Sequence, residues 1–196
     1  MADNKVVYVL VFDGYADWEP ALAMCEVRKS GRFDLRTVGF GREVVTSMGG
    51  LRVTPDLPLA EVTPDGAALL ILPGGDMWEQ KPPGPELTRA VDAFDAAGVP
   101  VAAICAATVA VGRMGMMKGR RHTSNSKAYL SALVPGYQEE SRYSDAWAVR
   151  DGHLITASGI GSVEFAREII QLLDIYSEAD QKLWWDIFKH GKMPAE

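Results

Sequence analysis

The chain has 196 residues, 47% of them apolar and 23% charged, with a formal net charge of −6 at pH 7. That is enough chain for one domain with a sizeable core, in the composition of a water-soluble globular protein rather than a disordered or fibrous one. The acidic balance, with no basic cluster larger than Gly119-Arg120-Arg121-His122 and no apolar run of membrane-span length, speaks against nucleic acid and membrane as partners.

Met1-Ala2-Asp3-Asn4-Lys5 lacks signal-peptide character, and the two cysteines, Cys25 and Cys105, stand far apart in different elements. Both features point to a reducing cytoplasm rather than a disulfide scaffold. Lys5 to Phe12 is an apolar run that reads as a central parallel strand. After the loop Asp13-Gly14-Tyr15-Ala16, Asp17 reads as the N-cap of a helix. Glu19 and Pro20 suit its first turn, Cys25 its core face, and Gly31 its stop after Ser30. Asp34 to Phe40 reads as a second strand. Val44–Thr46 and Leu51–Thr54 flank Gly49-Gly50 as a small hairpin. Gly66 to Leu72 reads as a third, buried strand. It ends in Pro73-Gly74-Gly75-Asp76, a loop able to bring backbone N–H groups close to a ligand.

Lys81-Pro82-Pro83-Gly84-Pro85 reads as an irregular loop, and Glu86 to Ala97 as a helix with Leu87, Val91 and Phe94 on one stripe. The next stretch organises the chain. Val99 to Ile104 is a short apolar run expected to be a strand buried on both faces, and Ala106 to Val111 is an alanine-rich helix start. Cys105 sits at the junction, with small neighbours Ala103, Ala106 and Ala107 that permit strand and helix to approach closely. Arg120–Ser124 reads as a short strand and Ser126–Leu133 as a short helix. Ser144–Arg150 and His153–Ala157 form a hairpin about Asp151-Gly152. Ser162 starts a helix with Val163, Ala166, Ile169, Ile170 and Leu173 facing inward. Ser177, with Asp180 three residues on, starts a last helix carrying Leu183, Trp184, Ile187 and Phe188. The order implies a mostly parallel α/β sheet with helices on both faces. The whole chain, 1–196, reads as one domain with a C-terminal helical extension at 177–190.

In such a sheet the loops after parallel strands gather at one edge. That edge would hold Glu19, Gly74 and Gly75, Cys105 and, in the region beyond, His122, with Trp18 and Trp78 as walls of a small pocket. A thiol at a strand end and helix start is favoured as thiolate by the helix dipole and free N–H groups. The competing readings are ordinary: Cys105 as a small buried apolar residue, Glu19 as an exposed first-turn carboxylate, His122 as a polar strand residue with a satisfied ring. His153 is expected in solvent and His190 at a helix C-terminus. Met114, Met116 and Met117 read as packing residues, and no cluster has metal-ligand spacing.

Phe12-Asp13-Gly14 with Glu19, Leu72-Pro73-Gly74-Gly75, Ala103-Ile104-Cys105-Ala106, Gly119-Arg120-Arg121 and Ile155-Thr156-Ala157-Ser158-Gly159 resemble the ThiJ/PfpI superfamily from about Val6 to Leu173. The resemblance implies a flavodoxin-like, glutamine amidotransferase-like three-layer α/β sandwich and usually a homodimer. It also implies a nucleophile-elbow cysteine matching Cys105 and an acidic partner matching Glu19. Members with protease or glyoxalase-type chaperone activity usually carry His directly after the cysteine; here that position is Ala106. The amidotransferase His-x-Glu pair is also missing, since Glu164 follows Ser162. Another branch carries Ala after the cysteine, as here, and a histidine about 20 residues on, where His122 is loosely placed.

The expected chemistry follows from these groups. Cys105 as thiolate attacks a small carbonyl such as an α-oxoaldehyde, and Glu19, protonated part of the time, shuttles a proton. Backbone N–H groups of Gly74, Gly75 and Ala106 hold the oxyanion, and His122 serves as a second acid/base. The expected function is a cofactor-independent, glyoxalase- or deglycase-like enzyme on a small-molecule substrate. Two alternatives stay open: a redox or stress sensor working through Cys105 oxidation, and a cysteine protease or amidase.

Overall fold

The computed structural model describes residues 5–193. The absence of leader character expected of residues 1–4 lies outside the described residues. In chain order the elements are β1 (Lys5–Leu10), α1 (Trp18–Ser30), β2 (Phe33–Gly39), β3 (Val45–Thr46), β4 (Arg52–Val53), β5 (Leu57–Pro58), β6 (Ala67–Leu72), α2 (Met77–Gln80) and α3 (Pro85–Ala96). Then follow β7 (Val101–Ile104), α4 (Ala107–Arg113), α5 (Lys127–Leu133), β8 (Ala148–Asp151), β9 (Leu154–Ala157), α6 (Ser162–Leu172) and α7 (Glu178–His190). Seven strands form one sheet in the order β5-β2-β1-β6-β7-β9-β8; β3 and β4 form a separate antiparallel pair. All pairings in the large sheet are parallel except β8 with β9.

The period-two pleat divides the core into two layers. Val7 and Val9, Leu69 and Ile71, Ala102 and Ile104 turn to one face. There they meet Ala23 and Val27 of α1, and Phe165, Ile169 and Ile170 of α6. Tyr8 and Leu10, Leu70 and Leu72, Val101 and Ala103 turn to the other. There they meet Leu87, Val91 and Phe94 of α3, and Val109 to Val111 of α4. Strands covered on both sides need no polar face, which is why β6 and β7 are apolar throughout. The result is a flavodoxin-like three-layer sandwich.

Several local expectations are corrected. Asp17 precedes α1 but makes no cap bond; its carboxylate accepts the Ser47 hydroxyl at 2.7 Å and so ties α1 to the β3–β4 segment. Cys25 is exposed, because the buried positions of α1 are Glu19, Pro20, Ala23, Glu26 and Val27, and residue 25 falls off that stripe. Arg120–Ser124 is no strand. It makes one isolated bridge, His122 with Tyr143. The edge strand β5 and the one-turn helix α2 have no counterpart in the sequence reading; Pro58 suits an edge strand because it lacks an N–H to donate.

Candidate active site

Because β1, β6 and β7 run parallel, the chain leaves all three at the same sheet edge. Cys105 follows β7 directly and takes φ +58°, a left-handed conformation that costs a non-glycine residue roughly 1–2 kcal/mol. Three bonds hold it there. Its N–H donates to Ala157 O at 2.9 Å, and its carbonyl accepts the Thr108 N–H at 3.0 Å and the Thr108 hydroxyl at 2.5 Å. This is the sharp strand-to-helix turn that lifts a nucleophile out of a sheet.

Glu19 is 1% exposed, so it is not a solvated first-turn carboxylate. Its Oε2 accepts the Gly74 N–H at 2.6 Å. Its Oε1 is buried without a hydrogen-bond partner among the described residues. A Cβ on Gly159 would stand 2.7 Å from Cys105 Sγ and 3.4 Å from Glu19 Oε1, and one on Gly74 would crowd Glu19 Oε2 and Cys105 Cβ at 2.7 and 2.9 Å. Two bare backbone positions therefore make the room in which carboxyl and thiol meet.

Burial pushes the Glu19 carboxyl up to about 7, against the pull of the Gly74 N–H and of Cys105. Burial, then the Glu19 charge, push the Cys105 thiol up to about 11; Asn125 and the Ala106 N–H pull it down. The expected resting thiolate is thus corrected. Both shifts favour the proton-bearing thiol near neutral pH, and the group poised to take that proton is Glu19, buried beside it. The two carboxyl and thiol protons titrate as properties of the pair.

The other expected groups are distributed differently. The Gly74 N–H is spent on Glu19, so it is not an oxyanion donor. The Gly75 N–H has no acceptor among the described residues, and a Cβ there would strike Phe12 at 2.6 Å. The Ala106 N–H favours the charged form of the sulfur. Trp78 is 1% exposed and is not a pocket wall; it packs edge-on against Phe12 and donates to Pro73 O at 2.9 Å, supporting the glycine loop from below. Trp18 is 52% exposed. His122 does not reach the thiol. It is fully buried, its Nδ1–H donates to Arg120 O at 2.8 Å, and its Nε2 accepts the Tyr137 hydroxyl at 2.6 Å.

Residues that the sequence reading passed over surround the sulfur instead. Asn125 Nδ2 donates to Cys105 Sγ at 3.4 Å, while its Oδ1 accepts the Gly159 N–H at 2.9 Å. Tyr129 Oη donates to Glu79 Oε1 at 2.6 Å; burial and that carboxylate hold its phenol well above the usual range. A cavity of about 170 Å³ beside Asn125 is lined by Ser124, Tyr143, Asp145 and Trp147 among others. Among the described residues no group of three or more His, Cys, Asp or Glu side chains is placed to hold a metal, and no helix is long and apolar enough to cross a membrane.

The DJ-1/PfpI family model matches residues 5–172. A Bacillus subtilis protein named uncharacterized protease YoaZ is 37% identical over 96% of this chain and 93% of its own length. Deglycase TK1284 of Thermococcus kodakarensis is 29% identical over 85% of this chain and 98% of its own. The crystal structure of a thiJ/pfpI family protein from Bacillus anthracis superposes with a TM-score of 0.88 at 35% identity, covering 97% of this chain and 92% of that one.

Proposed function

Since the chain belongs to the DJ-1/PfpI family, we propose that it is a thiol enzyme acting on small reactive carbonyl compounds, with Cys105 as nucleophile and Glu19 as its proton partner. The observation that carries this reading is the enclosed carboxyl beside the elbow thiol: Glu19 is pinned by the Gly74 N–H, and its free oxygen shares the space beside Gly159 with the sulfur. A relative named a deglycase supports the substrate class. A relative named a protease keeps hydrolysis as the rival, but no histidine is hydrogen-bonded to Cys105 among the described residues, and the residue after it is Ala106.

The step runs from the protonated thiol. As sulfur adds to an aldehyde carbon, Glu19 takes the thiol proton, and the new oxyanion is met by N–H donors at the elbow. Glu19 then returns that proton to the oxyanion, giving a neutral hemithioacetal. For an α-oxoaldehyde the C1 proton next passes by way of an enediolate to C2, and water hydrolyses the resulting thioester, releasing the 2-hydroxy acid and the free thiol. A base of this kind contributes on the order of 10²–10⁴-fold. Incubation with methylglyoxal, following substrate loss and lactate formation, tests the proposal. Cys105→Ala is expected to abolish turnover and Glu19→Gln to reduce kcat by about 100-fold or more. Cys105→Ala turning over like the parent protein overturns the reading.

A further inference from the structure

The segment 122–125 has an unusual burial pattern. His122, Thr123 and Ser124 are polar, buried and individually tied down, and Asn125 after them is exposed. The His122 ring is held from both nitrogens by Arg120 O and the Tyr137 hydroxyl. The Thr123 N–H donates to Thr156 Oγ1 at 2.8 Å, and its hydroxyl donates to Ala146 O at 2.7 Å. The Ser124 hydroxyl lies 2.6 Å from the hydroxyl of Thr108, which itself holds the Cys105 carbonyl. Burying a hydroxyl or imidazole costs free energy that only such bonds offset. Three in a row make a rigid pedestal, coupled through Thr108 to the elbow.

The pedestal aims one side chain. With Oδ1 accepting the Gly159 N–H, the amide cannot flip without facing two donors together, so its NH₂ end is fixed toward Cys105 Sγ. Of the three backbone N–H groups expected to hold charge at this site, that of Gly74 is occupied by Glu19. We propose that Asn125 is a further catalytic residue of the Cys105 site, the side-chain donor that stabilises negative charge on the sulfur and on an oxygen bonded to the adduct. The proposal rests on Cys105 being the reactive thiol, as in the function proposed above. It does not rest on the identity of the carbonyl substrate. The ionisable groups facing the sulfur are Glu19 from α1 and Tyr129 from α5, with Glu79 of α2 behind Tyr129.

The test is the pH profile of Cys105 alkylation by iodoacetamide, read by intact mass in a Cys25→Ser background, which leaves Cys105 as the sole thiol. A hydrogen bond to a charged group is worth about tenfold or more in such an equilibrium. Asn125→Ala is therefore expected to move the profile up by about one pH unit and to slow labelling at pH 7 about tenfold. Asn125→Asp, which puts a carboxylate beside the sulfur, is expected to move it further. Circular dichroism of the exposed-site variants is expected to match the parent. Profiles of both variants that overlay the parent's overturn the proposal. Loss of methylglyoxal turnover in the parent, with the alkylation shifts intact, overturns only the substrate reading.

Discussion

Gly159 bears on the chemistry by what it lacks. Its backbone is not in the left-handed region, so the obstacle to alanine there is space: its Cβ would stand 2.7 Å from Sγ and 3.1 Å from Cβ of Cys105. Gly159→Ala is expected to displace Sγ from Glu19 and Asn125 while keeping the Gly159 N–H bond. A misplacement of this size costs on the order of 100-fold in reactivity, read as the Cys105 alkylation rate, with about 1–3 kcal/mol of overpacking in chemical denaturation. Cys105 and Glu19 were legible in the sequence because each sits on a recognisable joint: a strand running into an alanine-rich helix, and the first turn after a buried strand. Asn125 carries no such mark. It lies 20 residues past the cysteine and reaches it through long-range polar ties: the Thr108–Ser124 hydroxyl pair, the Thr123 bonds to Thr156 and Ala146, and its own bond to Gly159. His122, three positions away, was the more conspicuous residue by type, and the structure spends it on the pedestal.

Elements were readable to the extent that their buried faces were apolar. β6 and β7 are buried at every position and stand out as continuous aliphatic runs. α1 hides its face, because two of its five buried positions are glutamates: Glu19 at the site and Glu26, whose carboxylate accepts from Lys29 and from the Tyr176 hydroxyl. That is why Cys25 looked like core. α7 illustrates a cap that the sequence did mark. Ser177 Oγ accepts the Asp180 N–H at 3.2 Å, and the helix then lays the buried Trp184, stacked on Phe188, against the α6 layer. Ser177→Ala is expected to cost about 1 kcal/mol, concentrated in α7. Hydrogen exchange should show faster opening of α7 amides and unchanged protection in α6; equal acceleration in both would mean the two helices unfold as one unit.

For the whole molecule, the site sets a pH dependence of stability. Glu19 ordinarily titrates at 4.5 and is pushed up to about 7 in the fold. The folded state therefore holds this proton more tightly than the unfolded chain. The associated stability is complete below about 4.5 and is lost as pH rises through about 7. The full difference is on the order of 3 kcal/mol. Cys105 acts in the same direction at higher pH, its stabilisation lost as pH passes from 9.0 toward about 11. Glu19→Gln, neutral at every pH, is expected to flatten the urea-unfolding midpoint between pH 4.5 and 7 and to be more stable than the parent at pH 8. A parent midpoint with the same pH dependence as the variant's across this interval would contradict it.

The bent backbone at Cys105 behaves as a loaded spring. Its bonds to Ala157 and Thr108 hold it there, and among the described residues the one other non-glycine position with positive φ, Asp174, lies outside the sheet. Local opening of these ties is expected to quench Cys105 reactivity at a lower temperature than it costs the sheet its strands, read as alkylation rate against far-UV circular dichroism.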